Sequence, residues 1–430
     1  MRKLFSHKPT REACHIYKVL KAHAPKKHLS FHTPGHKQRG YDITELSYSD
    51  NLCCPKGCIA EAERDITRIL GSAKSFILTD GSTCGVLCML HSARAEGVKR
   101  VLVSDYSHKS VKNGCALLGL EQIRLPQAIQ NGIPTPISVP SLTGEYSALF
   151  QACDAVLITS PSYYGDIPDL PALSALCQAE KKLLLIDGAH GGHLHFDKEI
   201  YAGAYADYWV DGVHKSLPAL TQGAVVSAKT AHGSEFLRTA VDIFRTSSPS
   251  YPIMASVEYA VKYPKNTALA QTAQAFKGTD RVYQSRDWTK ICVQFGKNAY
   301  KADKELEKQG IYSEFCDGEY ICFYLSPATK TSEFKRLKAM VYRLLEKYPY
   351  QPSETQNEAT MYEVNETEWV ELSACEGRIC AKECGLFPPC LPLLIKGERV
   401  TAEKIEKLTK ANGVYGLKEG KMLVKMLVKK

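Results

Sequence analysis

From about residue 74 to residue 230 the chain alternates short apolar runs with stretches of helical character, and each run ends in a polar or glycine-bearing loop. The runs "SFILTD" (75–80), "RVLVSD" (100–105), "AVLITSP" (155–161), "KLLLID" (182–187), "DYWVDG" (207–212) and "GAVVSA" (223–228) have the length and composition of strands. Several are apolar almost throughout, as strands covered on both faces are. The pieces between them, such as 83–96, 108–119 and 171–181, are compatible with helices. This alternation specifies an α/β fold, a mostly parallel sheet wrapped by helices. Such sheets bind ligands beyond the carboxyl ends of their strands. The loops "DGST", "DYSHKS", "SPSYYGD", "DGAHGGH" and "DGVHKS" therefore form one candidate rim.

Composition narrows the function classes. At 430 residues the chain is long enough for two or three domains. Its net charge of +9 comes from acids and bases that are interspersed, which argues against nucleic-acid binding and leaves anionic small molecules as ligands. No run approaches the roughly 20 apolar residues of a spanning helix. The basic "MRKLFSHKPTREACHIYKVL" lacks an apolar core of signal-peptide length, so a cytoplasmic protein without membrane or nucleic-acid partners is expected. The 16 cysteines are scattered through strand-like and helix-like segments, the pattern of reduced thiols. "CCPKGC" (Cys53, Cys54, Cys58) and "HGGHLH" (His190, His193, His195) are ligand-rich, but neither has a second pair at zinc-site spacing, and no metal is expected.

After residue 255 the pattern changes to long helical stretches, 267–310 and 331–348, around the apolar strand "EYICFYLS". "YQPSETQNEAT" (350–360) reads as a linker, and the tail "KMLVKMLVKK" as a terminal strand. Domains over 1–265, 266–350 and 361–430 follow, the second a small α/β unit and the third α+β.

On the rim, Gly81, Ser82 and Thr83 lie between a strand and a helix, where backbone N–H groups and the helix dipole suit an anion; a plain N-cap fits the same residues equally well. Asp187 ends a buried strand, where a carboxylate needs a cation. His108 follows another strand end, placed to stack on a flat ligand or simply to hydrogen-bond. Lys215 follows the next strand, either reaching solvent or occupied by a ligand. Together these four features are the parts of a pyridoxal 5'-phosphate (PLP) site: a cradle for the phosphate, Asp187 for the pyridinium nitrogen and Lys215 for the aldehyde carbon.

The ordered motifs "HTPGHKQ" (32–38), "GST", "SHKS", "SPSYYGD", "IDGAHGGHLHF", "DGVHKSLPALTQG", "TSSPSY" (246–251) and "FPPCLPLLIKGE" resemble the PLP-dependent Orn/Lys/Arg decarboxylase family. The likeness covers most of the chain and is strongest to the shorter bacterial arginine/lysine/ornithine decarboxylases, which lack a wing domain. It implies a seven-stranded, mostly parallel sheet of PLP fold type I, followed by a smaller α/β domain and a C-terminal decarboxylase-type domain. It implies Lys215 as the Schiff-base lysine, Asp187 as partner of the ring nitrogen, His108 on one cofactor face and Ala189 on the other. Gly81, Ser82 and Thr83 would hold phosphate, His190 would border the cofactor, and His214 would handle protons.

The same likeness implies at least a homodimer with shared active sites, Ser247 or Ser248 reaching the neighbouring phosphate and His36 contributing across the interface. Three positions depart from the family pattern: Gly212 where Ser or Thr is frequent, Gly188 where Glu is frequent, and Cys390 where Gly is usual. The implied reaction is α-decarboxylation of arginine, lysine or ornithine in polyamine metabolism, with a distal acid for the side-chain cation that the sequence does not place, the Glu and Asp residues of the last 80 positions being candidates. The alternatives are an aminotransferase or other Cα–H-cleaving enzyme, with Arg378 on the α-carboxylate, and a non-catalytic scaffold that keeps the fold.

Overall fold

The computed structural model describes residues 5–23, 29–37, 42–352, 362–386, 392–411 and 413–426. All six expected strands form: β1 (Lys74–Leu78), β2 (Arg100–Ser104), β4 (Ala155–Thr159), β5 (Leu183–Gly188), β6 (Tyr208–Asp211) and β7 (Ala224–Ala228). The seventh, β3 (Glu121–Leu125), is polar at Glu121, Gln122 and Arg124 and carries no strand signal in the sequence; it pairs in parallel with β2 at the sheet edge. The order is β1-β7-β6-β5-β4-β2-β3, parallel except for β7, which runs against both β1 and β6.

β4, β5 and β6 are buried along nearly their whole length because helices cover both faces. One apolar core lies on each face, the first around Trp209, Ile186 and Tyr251, the second around Val210, Leu185 and Met89. Register sets the rim: Thr159, Asp187 and Val210 are successive partners across β4, β5 and β6, so the loops after these strands emerge side by side.

The end of β6 buries a charge. Asp211 accepts hydrogen bonds from Tyr201 Oη (2.6 Å) and Trp209 Nε1 (3.2 Å), while its Oδ1 has no partner. Burial pushes its carboxyl from 3.8 up to about 7, against the opposing effect of these two donors. A carboxyl raised in the folded state is stabilising while protonated, so its contribution is lost as pH rises from about 4 towards 7. Asp211→Asn is expected to flatten the stability profile over that window, by on the order of 4 kcal/mol at its upper end. Urea unfolding at a series of pH values measures it; parallel profiles for the two proteins would contradict the assignment.

The stretch 267–310, expected to be helical, divides into a helix over Thr267–Phe276, strand β8 (Lys290–Gln294) and a helix over Ala299–Lys308. "KICVQ" is strand because its side chains are covered on both faces, and a short run buried in that way has no helical period. β8 pairs antiparallel with β10 (Tyr320–Tyr324), and β9 (Phe315–Cys316) lies on the other side of β10. A third core, around Phe276, Ile321 and Phe334, lies under this sheet.

Beyond residue 362, Thr367–Glu371 pairs with Lys421–Lys425. The alternating burial of Met422 and Val424 shows that the first part of the tail is a strand, as expected. Most of the expected linker, from residue 353, lies outside the described residues, as does Cys390. No helix among the described residues is long and apolar enough to cross a membrane.

Candidate active site

Lys215 is presented by a short helix, Val213–Ser216, directly after β6. Its Nζ lies 3.2 Å from His190 Nε2. The turn before it is tightly fitted: a Cβ at Gly212 would lie 2.1 Å from Ala189 O, and one at Gly188 would lie 2.7 Å from Val210 O and 3.3 Å from Asp211 Oδ1. Both glycines that depart from the family pattern are thus required by the close approach of the β5 and β6 ends. A carboxylate at 188 would also come up against buried Asp211.

Asp187 is 2 % exposed, accepts one hydrogen bond, from Ala189 N–H at 3.1 Å, and forms no ion pair among the described residues. A buried carboxylate without a cation is costly to maintain. At these strand ends several buried polar atoms also lack hydrogen-bond partners among the described residues: Ser107 Oγ, Thr159 Oγ1, Ser160 Oγ and His190 Nδ1. Native interiors leave few such atoms unpaired, so their concentration at one set of strand ends marks a place for a polar ligand.

His108 caps the helix Lys109–Leu118, its Nδ1 accepting from Ser110 N–H. Burial lowers its pKa, Asp187 opposes that, and Lys215 adds to it, so all three groups share one electrostatic field. His190 is driven well below the usual histidine range by burial and by Lys215, Lys290, His108 and His214 around it. His214 Nδ1 lies 3.0 Å from Gly223 O; a carbonyl only accepts, so Nδ1 carries the hydrogen and Nε2 is the nitrogen able to take a proton. Burial also lowers the His214 pKa, which keeps the ring neutral near pH 7.

The helix Gly81–Ala95 begins at the expected cradle, with Ser82 and Thr83 accessible in its first turn. Gly81 N–H bonds to Gln222 O, which ties the cradle to the loop that follows Lys215. Thr246 N–H donates to Asp80 of the same chain (3.3 Å), so the segment that carries exposed Ser247 and Ser248 runs beside this cradle. His36 faces Asp42 at 3.7 Å. Arg378 is not at the rim: it bonds to Glu368 Oε1 and to Lys425 O (2.8 Å), within the C-terminal part.

Residues 163, 287, 290 and 324 also border the site, although the sequence reading did not single them out. Tyr163 and Tyr324 enclose His190, with ring centroids at 4.7 and 5.4 Å. Lys290 Nζ sits 3.7 Å from the Tyr324 ring centre, fully buried and without a hydrogen-bond partner; burial lowers its pKa against the pull of Asp287. His193, from the histidine run, pairs with buried Asp287 at 2.7 Å, and His195 donates to Gly192 O. Burial would raise the Asp287 carboxyl, but His193 and Lys290 outweigh it and hold it well below the usual range. Tyr163 lies in the rim loop "SPSYYGD" and Tyr324 in the strand "EYICFYLS", whereas nothing in the sequence pointed to Asp287 or Lys290.

A cation-accepting carboxylate, an amine after the next strand, a stacking imidazole and a hydroxyl-bearing helix start surround unpaired polar atoms, which is the donor set PLP needs. The fold is that of the PLP fold type I enzymes. The chain belongs to the Orn/Lys/Arg decarboxylase family: the model of the family's major domain matches residues 14–289 and that of its C-terminal domain residues 335–411. It is an amino-acid decarboxylase of that family. Relatives include YaaO of Bacillus subtilis, an uncharacterised protein, at 28 % identity over 95 % of this chain and 96 % of that one. An arginine decarboxylase of the same organism is 25 % identical, covering 92 % and 93 %. The lysine decarboxylase LdcF of Francisella novicida shares the fold, with a TM-score of 0.73 at 17 % identity over 96 % of this chain and 80 % of that one.

Proposed function

We propose that the chain binds pyridoxal 5'-phosphate and removes the α-carboxylate of a basic amino acid, arginine, lysine or ornithine, giving the amine and CO2 in the cytoplasm as a step of polyamine metabolism. The observation that carries this reading is the buried Asp187, which forms no direct ion pair among the described residues, near His108, a ring whose charge both Asp187 and Lys215 influence. PLP, when bound, supplies an electron sink for the bond that breaks.

The chain's own residues do the rest. Asp187 would hold the ring nitrogen in its cationic form, and His108 and Ala189 would clamp the two faces. Gly81, Ser82 and Thr83 would take the phosphate at the helix N-terminus. Lys215 would be the amine that anchors the cofactor. Lys215 or His214, the latter through Nε2, would deliver the proton that replaces the carboxylate at Cα. His190, kept neutral by burial and neighbouring cations, accepts from Lys215 and orients it. The position of Arg378, bonded to Glu368 and Lys425 O, removes the support for the aminotransferase alternative.

In this reading 1–265 is the cofactor domain, 266–350 the small domain that brings Asp287, Lys290 and Tyr324 to the rim, and 361–430 the C-terminal domain. Two copies at least assemble, with Ser248 and His36 serving the neighbouring site. The PLP-loaded protein, mixed separately with arginine, lysine and ornithine, is expected to release CO2 and amine in equal amounts from at least one of them. Keto acid in place of amine would overturn the proposal.

A further inference from the structure

A cavity of about 550 Å³, its open mouth included, lies at the ends of β2 and β4 and has Tyr163 in its lining. Ser104 and Thr159, the last residues of β2 and β4, form part of its floor, and Thr159 is the register partner of Asp187. Tyr163 is a shared wall: it lines the cavity and its ring packs 4.7 Å from His190, which in turn contacts Lys215 at 3.2 Å. The lining holds a single charged side chain, Asp166.

Lys277 acts on Asp166 only through space, and no cation lies in direct contact with it among the described residues. The two Asp166 oxygens accept from Tyr283 Oη (2.8 Å) and Ser162 Oγ (3.1 Å), both neutral donors. A carboxylate offers about four lone-pair directions, so acceptor capacity is left over. The rings of Tyr106, Tyr163 and Tyr164 line the same space, and tyrosine faces attract cations. Burial raises the Asp166 carboxyl, and the hydroxyls of Tyr283 and Ser162 together with the charge of Lys277 offset this only in part.

We propose that Asp166, in the tyrosine-lined cavity that Tyr163 and His190 link to Lys215, holds the side-chain ammonium or guanidinium of the substrate. The assignment rests on the decarboxylase reading above and takes the place of the candidate acids of the last 80 residues. An entering cation gives Asp166 a charge-assisted hydrogen bond in a low-dielectric pocket, while an aliphatic side chain leaves it unpaired.

The test compares the PLP-loaded wild type with Asp166→Asn and Asp166→Glu on lysine, ornithine and the uncharged norleucine, with product-amine binding followed by calorimetry. Asp166→Asn is expected to lose about 10- to 100-fold in kcat/KM on the basic substrate and a similar factor in amine affinity, with norleucine turnover unchanged within about threefold. Asp166→Glu carries the carboxylate one methylene into the cavity, so its preference is expected to move from lysine towards ornithine. Equal losses on norleucine and the basic substrate, or unchanged amine binding in Asp166→Asn, would overturn the assignment. If Asp166→Asn does not fold, an unmoved lysine-to-ornithine ratio in Asp166→Glu overturns it instead. A wild type that loads PLP but releases no CO2 from basic amino acids defeats the underlying reading as well, an outcome distinct from failure of the Asp166 variants alone.

Discussion

Lys215→Ala is expected to lower decarboxylation more than about 1,000-fold while leaving the fold in place. Lys215 has two tasks, anchoring the cofactor and moving a proton at Cα, and the only other group placed for the second is His214. The side chain itself contributes little to stability. It is half-buried, and its contact with His190 joins it to a ring whose other nitrogen has no hydrogen-bond partner among the described residues. Thermal unfolding of the variant without PLP should therefore match the wild type within a few degrees. Loss of activity together with collapse of the fold would make Lys215 a structural residue and contradict the account.

Asp187→Asn separates function from stability by sign. In the protein without PLP, Asp187 is a buried carboxylate with one backbone N–H and no direct ion pair among the described residues, so its neutral isostere should leave the melting temperature unchanged or raise it. With PLP the order reverses, because the ring nitrogen loses the charge that keeps it protonated. Activity is expected to fall about 100-fold or more, and the stabilisation conferred by PLP to shrink as its affinity drops. Melting curves with and without PLP, together with CO2 release, measure both arms. A variant that is less stable without PLP and equally stabilised by it would show that Asp187 serves the fold and not the cofactor.

The rim was legible in the sequence because buried parallel strands leave long apolar runs, and polar residues immediately after them have few structural explanations. Asp187, His108, His214 and Lys215 were singled out in this way, and Asp187 and Lys215 both act on the charge of the buried His108 ring. β3 was missed because an edge strand is not covered on both faces and so carries polar residues. β8 was missed because five residues are too few to show a period within a charged, helix-rich stretch. Lys290 and Tyr324 reach the rim from that second sheet, and Asp166 acquires a role only through the cavity around it; nothing local in the sequence encodes these meetings. The departures at Gly188 and Gly212 have no explanation in the motif alone, whereas the approach of Ala189 O and Val210 O shows them to be steric requirements.

The central claim is that the amine of Lys215 bonds the cofactor carbonyl carbon. Borohydride reduction of the PLP-loaded protein, followed by mass spectrometry of its peptides, tests this directly. The account predicts the reduced pyridoxyl mass on the peptide containing Lys215 and its disappearance in Lys215→Ala. Labelling of Lys290, the other buried lysine beside His190, with Lys215 unmodified would contradict it.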